Sequence, residues 1–379
     1  MKWILWGVGA VVFLMWASWV WAVRDLKPLD EIERARAPGR FVEVDGAKIH
    51  YRLTGPEGGP LIVMVHGFST PSFIFDQNAE ALRKEGFRVL QFDHLGRGWS
   101  DRPATRYDVD FYDWELKALL DALDITEPAG FVGLSMGGPI VAEFAVRHPE
   151  RVARVFLFVP AGLDVAGTDG FQASLLRTPV LGDWLWRMVG INSIANDPQY
   201  DEEGLDPGSR LQGDFREQMA YRGFGRALLS TFRHFPMTGR EDTYAALAAT
   251  GIPVKAVFGS DDPTVLVSSA DKLASLIPDA RIRIIPGGDH GLNYKRHEEV
   301  AGELLSWFDL GGPAFTDGSE DTAAAGEEDA ETLPEDELLG PDPVPGAAAS
   351  TEAQPQSLAP LGPSGPPCRM SRIGTRRCP

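Results

Sequence analysis

Cysteine is nearly missing from this chain: two among 379 residues, Cys368 and Cys378, both at the far C-terminal end. No disulfide can therefore staple the bulk of the chain, and neither a cysteine nucleophile nor a cysteine-based metal site is available there. Basic residues are also scarce, with 36 Lys and Arg against 54 Asp and Glu, a formal net charge of −18. Part of that charge is local. Residues 313–379 hold twelve acids against four arginines, leaving 42 acids and 32 bases in residues 1–312, a net of −10. An acidic surface argues against nucleic acid as a partner, because phosphate binding needs a basic face. No internal repeat of 20–50 residues is present, which disfavours a solenoid or propeller. No metal-spacing motif occurs, so no metal or organic cofactor is expected.

What is present suffices for one large catalytic domain. With 44% hydrophobic residues, a chain of this length can bury roughly 75% of its unfolded surface. From Trp3 to Val23 no side chain is charged, and Lys2 and Arg24 bracket the run. About 20 apolar residues span a bilayer core as a helix. Trp3, Trp6, Trp19 and Trp21 lie towards its two ends, where indoles favour the headgroup level. Residues 1–24 therefore read as a single-pass anchor, an uncleaved signal. The alternative is a cleaved signal peptide ending near Val20-Trp21-Ala22, giving a secreted or periplasmic protein. Arg24, Lys27, Arg34 and Arg36 outnumber Lys2, which favours a cytoplasmic catalytic domain. At the other end, residues 313–379 are rich in Ala, Pro, Gly, Glu and Asp and read as a disordered tail.

Between these ends the pattern alternates. Phe41–Val44 and Lys48–Leu53 flank Asp45-Gly46, a two-residue hairpin signal. Leu61–Val65 is a continuous apolar run, as a strand buried on both faces requires, and Arg88–Phe92, Gly130–Gly133, Val152–Val159, Pro253–Gly259 and Arg281–Ile285 read as the further strands. Helix-period segments such as Phe111–Leu123 and Val300–Phe308 lie among them. This alternation predicts an α/β fold with a doubly wound, mostly parallel sheet. Strand signals stop between Val159 and Pro253, where Val180–Val189 and Gly225–Phe235 read as amphipathic helices. The expected organisation is a linker over 25–40, a core over 41–160, an inserted helical lid over 161–250, and the remaining core over 251–312.

Gly133-Leu134-Ser135-Met136-Gly137 places Gly-x-Ser-x-Gly between a strand and the helical segment Gly138–Arg147. A serine on so tight a turn sits in strained backbone, and its neighbours two residues away must be tiny. The turn also aims the Met136 N–H and a helix N-terminus at a developing oxyanion. Ser135 is the candidate nucleophile. A serine hydroxyl needs an imidazole to take its proton, and the imidazole needs an acceptor to fix its tautomer. Of seven histidines, His50, His148 and His297 sit in or at the ends of regular elements and His234 in the lid. His66 and His94 lie in glycine-containing loops suited to structural hydrogen bonding. His290 follows the last strand in Gly288-Asp289-His290-Gly291 and is the candidate base.

These motifs resemble the α/β-hydrolase superfamily over about 41–310. His66-Gly67-Phe68 is similar to the family's second oxyanion element, which implies Phe68 as an oxyanion N–H beside Met136. Asp93-His94-Leu95-Gly96-Arg97-Gly98-Trp99-Ser100 resembles its Asp-x-x-Gly-x-Gly-x-Ser loop. Gly259-Ser260-Asp261-Asp262-Pro263 resembles its acid-bearing turn, and family spacing selects Asp262, with Asp261 and Asp164 as alternatives. The order nucleophile, acid, histidine is also the family's.

A serine nucleophile excludes the dehalogenase and epoxide hydrolase chemistries of this scaffold, which use aspartate, and implies an acyl-enzyme. The lid is apolar at Phe171, Leu175, Leu176, Val180, Leu181, Trp184, Leu185, Trp186, Met188 and Val189. Some of these are expected to line an acyl pocket. With the anchor, the sequence is similar to membrane-anchored monoacylglycerol lipases and carboxylesterases, implying a small-molecule acyl ester or lipid substrate and a membrane partner. A carbon–carbon bond hydrolase is the alternative, since such enzymes share Ser-Met-Gly-Gly. A proline iminopeptidase fits less well, because Met136 stands where that family has Trp. The non-enzymatic alternative is a silent binding scaffold.

Overall fold

The computed structural model describes residues 2–196 and 211–309, together with the backbone of 369–370 and 376–377, which pair as a minimal antiparallel ladder. The tail expected over 313–379 otherwise lies outside the described residues, as do Cys368 and Cys378.

The centre is an eight-stranded sheet. Its strands are β1 (Arg40–Val44), β2 (Ala47–Thr54), β3 (Leu61–Val65), β4 (Arg88–Phe92), β5 (Ala129–Leu134), β6 (Val152–Phe158), β7 (Val254–Gly259) and β8 (Arg281–Ile285). Their spatial order is β1-β2-β4-β3-β5-β6-β7-β8. Only the β1/β2 and β2/β4 pairs are antiparallel, and the rest of the sheet is parallel. Asp45 and Gly46 both take positive φ, 51° and 81°, as a two-residue hairpin turn requires. The continuous apolar runs become the central strands because helices cover both faces of the sheet. β5 is buried along its whole length. The last strand, β8, keeps Arg281 and Arg283 exposed, charges that discourage edge-to-edge pairing.

Helices Val109–Ala122 and Gly137–Arg147 cover one face. There Phe111, Leu116, Phe131 and Phe144 join one core cluster. Helices Asp76–Lys84 and His297–Trp307 cover the other, around Ile62, Phe156 and Phe308. Each fully buried Phe or Leu contributes roughly 1.5–3 kcal/mol, so these two layers dominate the fold's stability.

The insertion after β6 is helical, with segments Phe171–Arg177, Leu181–Leu185, Trp186–Gly190, Ile191–Ala195, Leu211–Met219 and Phe224–His234. The helix Glu241–Ala249, within the stretch expected as lid, instead packs on Gly137–Arg147 of the core. There the Tyr244 hydroxyl donates to the Ala161 carbonyl, and Arg240 pairs with Glu143.

Lys2–Val23 forms one helix with no buried residue, long and apolar enough to cross a membrane. Its C-terminal end meets the lid. Trp184 donates to Ser18 Oγ at 2.9 Å, and Arg187 donates to the Ala22 carbonyl. The stretch expected as a simple linker is docked as well. Lys27 exchanges backbone hydrogen bonds with Ala220 and Arg222, both 2.8 Å, and Arg36 pairs with Glu217 at 2.7 Å. Asp30 caps the short helix Glu31–Arg34.

Candidate active site

Ser135 sits between β5 and the helix Gly137–Arg147 with φ of +53°, a left-handed conformation costly for a residue with a Cβ. The surroundings enforce it. The Ser135 N–H donates to the Phe158 carbonyl at 2.9 Å, and its carbonyl accepts from Gly138 and Ala161 at 2.9 and 3.0 Å. A Cβ on Gly137 would lie 2.1 Å from the Val65 carbonyl oxygen, and one on Gly133 would lie 2.6 Å from the Gly137 oxygen. The two glycines of the motif are thus required by close backbone approach. The helix N-terminus behind Ser135 contributes a positive partial charge at this point.

The sheet order places β3 beside β5, so the loop after β3 lies against the turn after β5. Gly67 packs there, where an added Cβ would meet Ser135 Cβ at 3.3 Å. Phe68 follows, and Gly67, Phe68, Ser135 and His290 line one cavity of about 200 Å³. The loops after β7 and β8 supply the other two candidates. His290 Nε2 lies 3.1 Å from Ser135 Oγ, and His290 Nδ1 lies 2.8 Å from Asp262 Oδ2. His290 and Asp262 are buried. Asp262 Oδ1 accepts the N–H groups of Thr264 and Val265 at 2.7 and 2.9 Å. That leaves Oδ2 aimed at the imidazole. Asp261 is exposed and accepts from Ser260 Oγ, while Asp164 pairs with Lys272 and Ser268 away from His290.

The remaining histidines have other partners. His148 meets Asp113 at 3.1 Å, His297 meets the Tyr294 carbonyl, and His234 the Ser230 carbonyl. His50 Nδ1 contacts Asp93 at 2.9 Å. Burial opposes the Asp93 charge, yet His50, its hydrogen bond and Ser72 override it and keep the carboxyl well below its ordinary range.

His66 and His94 build the floor of the loop after β3. The His94 backbone N–H donates to His66 Nε2 at 2.9 Å, so His66 carries its proton on Nδ1 and donates it to the Gly67 carbonyl at 2.9 Å. Burial holds His66 well below its ordinary pKa, which keeps it neutral. In the next layer burial pushes Glu115 up to about 8 and His94 down to about 3. Glu115 also accepts the Leu95 N–H.

None of the ten apolar lid residues expected for an acyl pocket lines the cavity around Ser135; among the described residues the lid contributes Ile194. Trp186 is instead lid core, stacked on Phe232, while Phe171, Val180, Leu181 and Val189 are exposed. Ile74, Leu134, Asn293 and Tyr294 complete much of the wall. Leu134 ends β5 beside Ser135, whereas Ile74 and the Asn293–Tyr294 pair come from short helical turns after β3 and β8 whose local sequence does not mark them.

A mostly parallel sheet, a tight Gly-x-Ser-x-Gly turn after its fifth strand and an inserted helical cap define the α/β-hydrolase fold. The family model for that fold matches residues 60–181, from β3 into the lid. Among curated relatives, a bifunctional esterase/perhydrolase of Acinetobacter calcoaceticus is 26% identical over 284 residues, covering 71% of this chain and 99% of that one. A 2-hydroxymuconate semialdehyde hydrolase of a Pseudomonas strain is 28% identical, covering 70% and 93%. Among solved structures, Est816, an N-acyl homoserine lactone degrading enzyme, aligns with a TM-score of 0.55 at 26% identity, covering 71% and 100%. The chain has the α/β-hydrolase fold, and the family model and relatives it matches are those of α/β hydrolases.

Proposed function

We propose that this protein is a serine carboxylic ester hydrolase acting on acyl lipids at a membrane. The observation that carries the reading is the continuous chain of contacts from Ser135 Oγ through His290 to buried Asp262, at 3.1 and 2.8 Å. In this mechanism His290 Nε2 removes the Ser135 proton as Oγ bonds to the acyl carbon. The resulting oxyanion accepts from the Phe68 and Met136 N–H groups. Collapse breaks the bond to the alcohol, which leaves with the proton from His290. Water then attacks the acyl-enzyme, again giving its proton to His290, and collapse returns that proton to Ser135 and frees the acid. Asp262 keeps the imidazole in the productive tautomer and stabilises the imidazolium.

Ester cleavage is further supported by the named activities of the esterase/perhydrolase and the lactone-degrading relative. The membrane part rests on the helix Lys2–Val23, read here as an uncleaved anchor. A carbon–carbon bond hydrolase is the second reading, favoured by the 2-hydroxymuconate semialdehyde hydrolase relative.

The test uses detergent-solubilised full-length protein, a fluorophosphonate label, and a panel of acylglycerols, p-nitrophenyl esters and dienone-type acids. Labelling at Ser135 with turnover of the esters supports the proposal. Turnover confined to the dienone acids supports the second reading. Neither label nor turnover would leave a binding scaffold.

A further inference from the structure

We propose that Arg97 is the positioning residue of the oxyanion loop, holding the Phe68 backbone and tying it to the lid through Thr231; this rests on the serine-hydrolase reading above. Arg97 is fully buried, and among the described residues no carboxylate is in ion-pair contact with it. Its Nε donates to the Phe68 carbonyl at 3.0 Å, and one terminal nitrogen donates to Thr231 Oγ1 at 2.8 Å. The rings of Phe68, Tyr107 and Tyr112 surround the guanidinium, with centroids 5.7–5.9 Å from its carbon.

Three arguments point to geometry as its role. First, a buried cation without a contacting anion is costly, and well-packed apolar residues commonly serve the fold better at such places. Second, Phe68 is held on both sides. His66 fixes the Gly67 carbonyl, hence the peptide plane that carries the Phe68 N–H, and Arg97 fixes the next carbonyl. Without the second hold, the loop could rotate that N–H away from the oxyanion position while the substrate cavity kept its walls.

Third, the far end of Arg97 is anchored with equal care. Thr231, on the lid helix Phe224–His234, donates its single proton to the Ala227 carbonyl at 3.0 Å. Its oxygen is therefore the acceptor for both Arg97 and the Tyr112 hydroxyl, each at 2.8 Å. Burial raises Tyr112 to about 12, which keeps that hydroxyl a donor. Arginine suits this gap, because two separate nitrogens of one rigid fork donate to the two acceptors, whereas a lysine brings all its donors on a single nitrogen. The lid is thus joined to the oxyanion loop by a single side chain.

The test compares wild type with Arg97→Met, Arg97→Lys and Thr231→Val, as full-length protein in detergent, on a p-nitrophenyl ester. Arg97→Met should lower kcat roughly 10- to 100-fold, approaching the loss of an oxyanion donor, with KM within about twofold. Arg97→Lys should restore little, and Thr231→Val should lose several-fold in kcat. Affinity for a trifluoromethyl ketone, whose serine adduct carries the oxyanion, should fall in step with kcat/KM. A merely structural role would change thermal stability without that parallel. A folded Arg97→Met with wild-type kcat, or with its loss confined to KM, would overturn the proposal. If Arg97→Met does not fold, Thr231→Val decides, and an unchanged kcat there overturns it. Ser135→Ala serves as the control: turnover surviving in that variant sinks the serine-hydrolase reading itself, independently of Arg97.

Discussion

Trp184 donates its indole N–H to Ser18 Oγ at 2.9 Å, so the lid and the apolar N-terminal helix meet directly. Arg187 adds a second bond, to the Ala22 carbonyl, and the stretch that follows the helix continues the contact through Lys27 and Arg36. A membrane anchor placed this way would hold the lid at the lipid surface.

Deleting residues 1–24 should therefore give a soluble enzyme with similar kcat/KM on short soluble esters. Its rate on acylglycerols presented in vesicles should fall several-fold or more, because confinement raises the effective concentration of a lipid substrate. Trp184→Phe, which removes one hydrogen bond, should keep vesicle activity within about twofold. N-terminal sequencing comes first. A mature protein beginning at Val23 would remove the premise, and equal vesicle rates for both proteins would reduce the helix to simple localisation.

Ser135→Ala should abolish turnover while leaving thermal stability nearly unchanged. Alanine faces the same positive φ as serine, so neither strain nor packing changes much. Loss of a nucleophile in such sites costs roughly 10⁴ to 10⁶ in rate. Residual activity above about one thousandth of wild type would count against Ser135.

Asp262→Asn should lower kcat by roughly 10⁴. An amide facing His290 Nδ1 presents an N–H where the imidazole needs an acceptor, so the wrong tautomer is favoured. Asp261→Asn, at an exposed carboxylate bonded to Ser260, should stay within about twofold. A reversed order of severity, measured by steady-state kinetics, would move the acid to Asp261.

Asp93→Asn should lower stability by about 3 kcal/mol at neutral pH, as breaking a buried charged network does. Asp93 accepts from the Ser72 N–H and hydroxyl, the Trp99 N–H and His50. Its carboxyl lies below its ordinary range in the folded protein. Below about pH 4 the unfolded chain therefore binds a proton that the folded chain refuses, and stability falls as pH falls. Denaturant melts of the wild type at about pH 5 and about pH 3, below the range in which His50 titrates, should show this fall. An unchanged midpoint across that window would overturn the assignment.

Much of the local structure was legible from residue order. Asp45-Gly46 specifies its hairpin because only a few residues tolerate two positive φ values in succession. Gly133 and Gly137 mark Ser135 because the elbow excludes a Cβ two residues to either side of it. The apolar run Leu61–Val65 coincides with β3 because a two-face-buried strand has one pattern and little latitude in length, and Arg281–Ile285 coincides with β8, an edge strand whose arginines stay exposed. Packing decided the rest. Asp261 and Asp262 are chemically identical neighbours, and only the backbone path after β7 turns one to solvent and the other to His290. Ile194 reaches the cavity while the equally apolar Phe171 and Val180 stay outside, since helix orientation within the lid selects the lining side chain. Arg97 and Thr231, 134 residues apart, and Ser18 and Trp184, 166 apart, meet because separate elements dock. Local sequence determines the turns and strands that hold each reactive group, because those depend on near neighbours. Which groups face one another depends on the three-dimensional closure of the sheet and its cap.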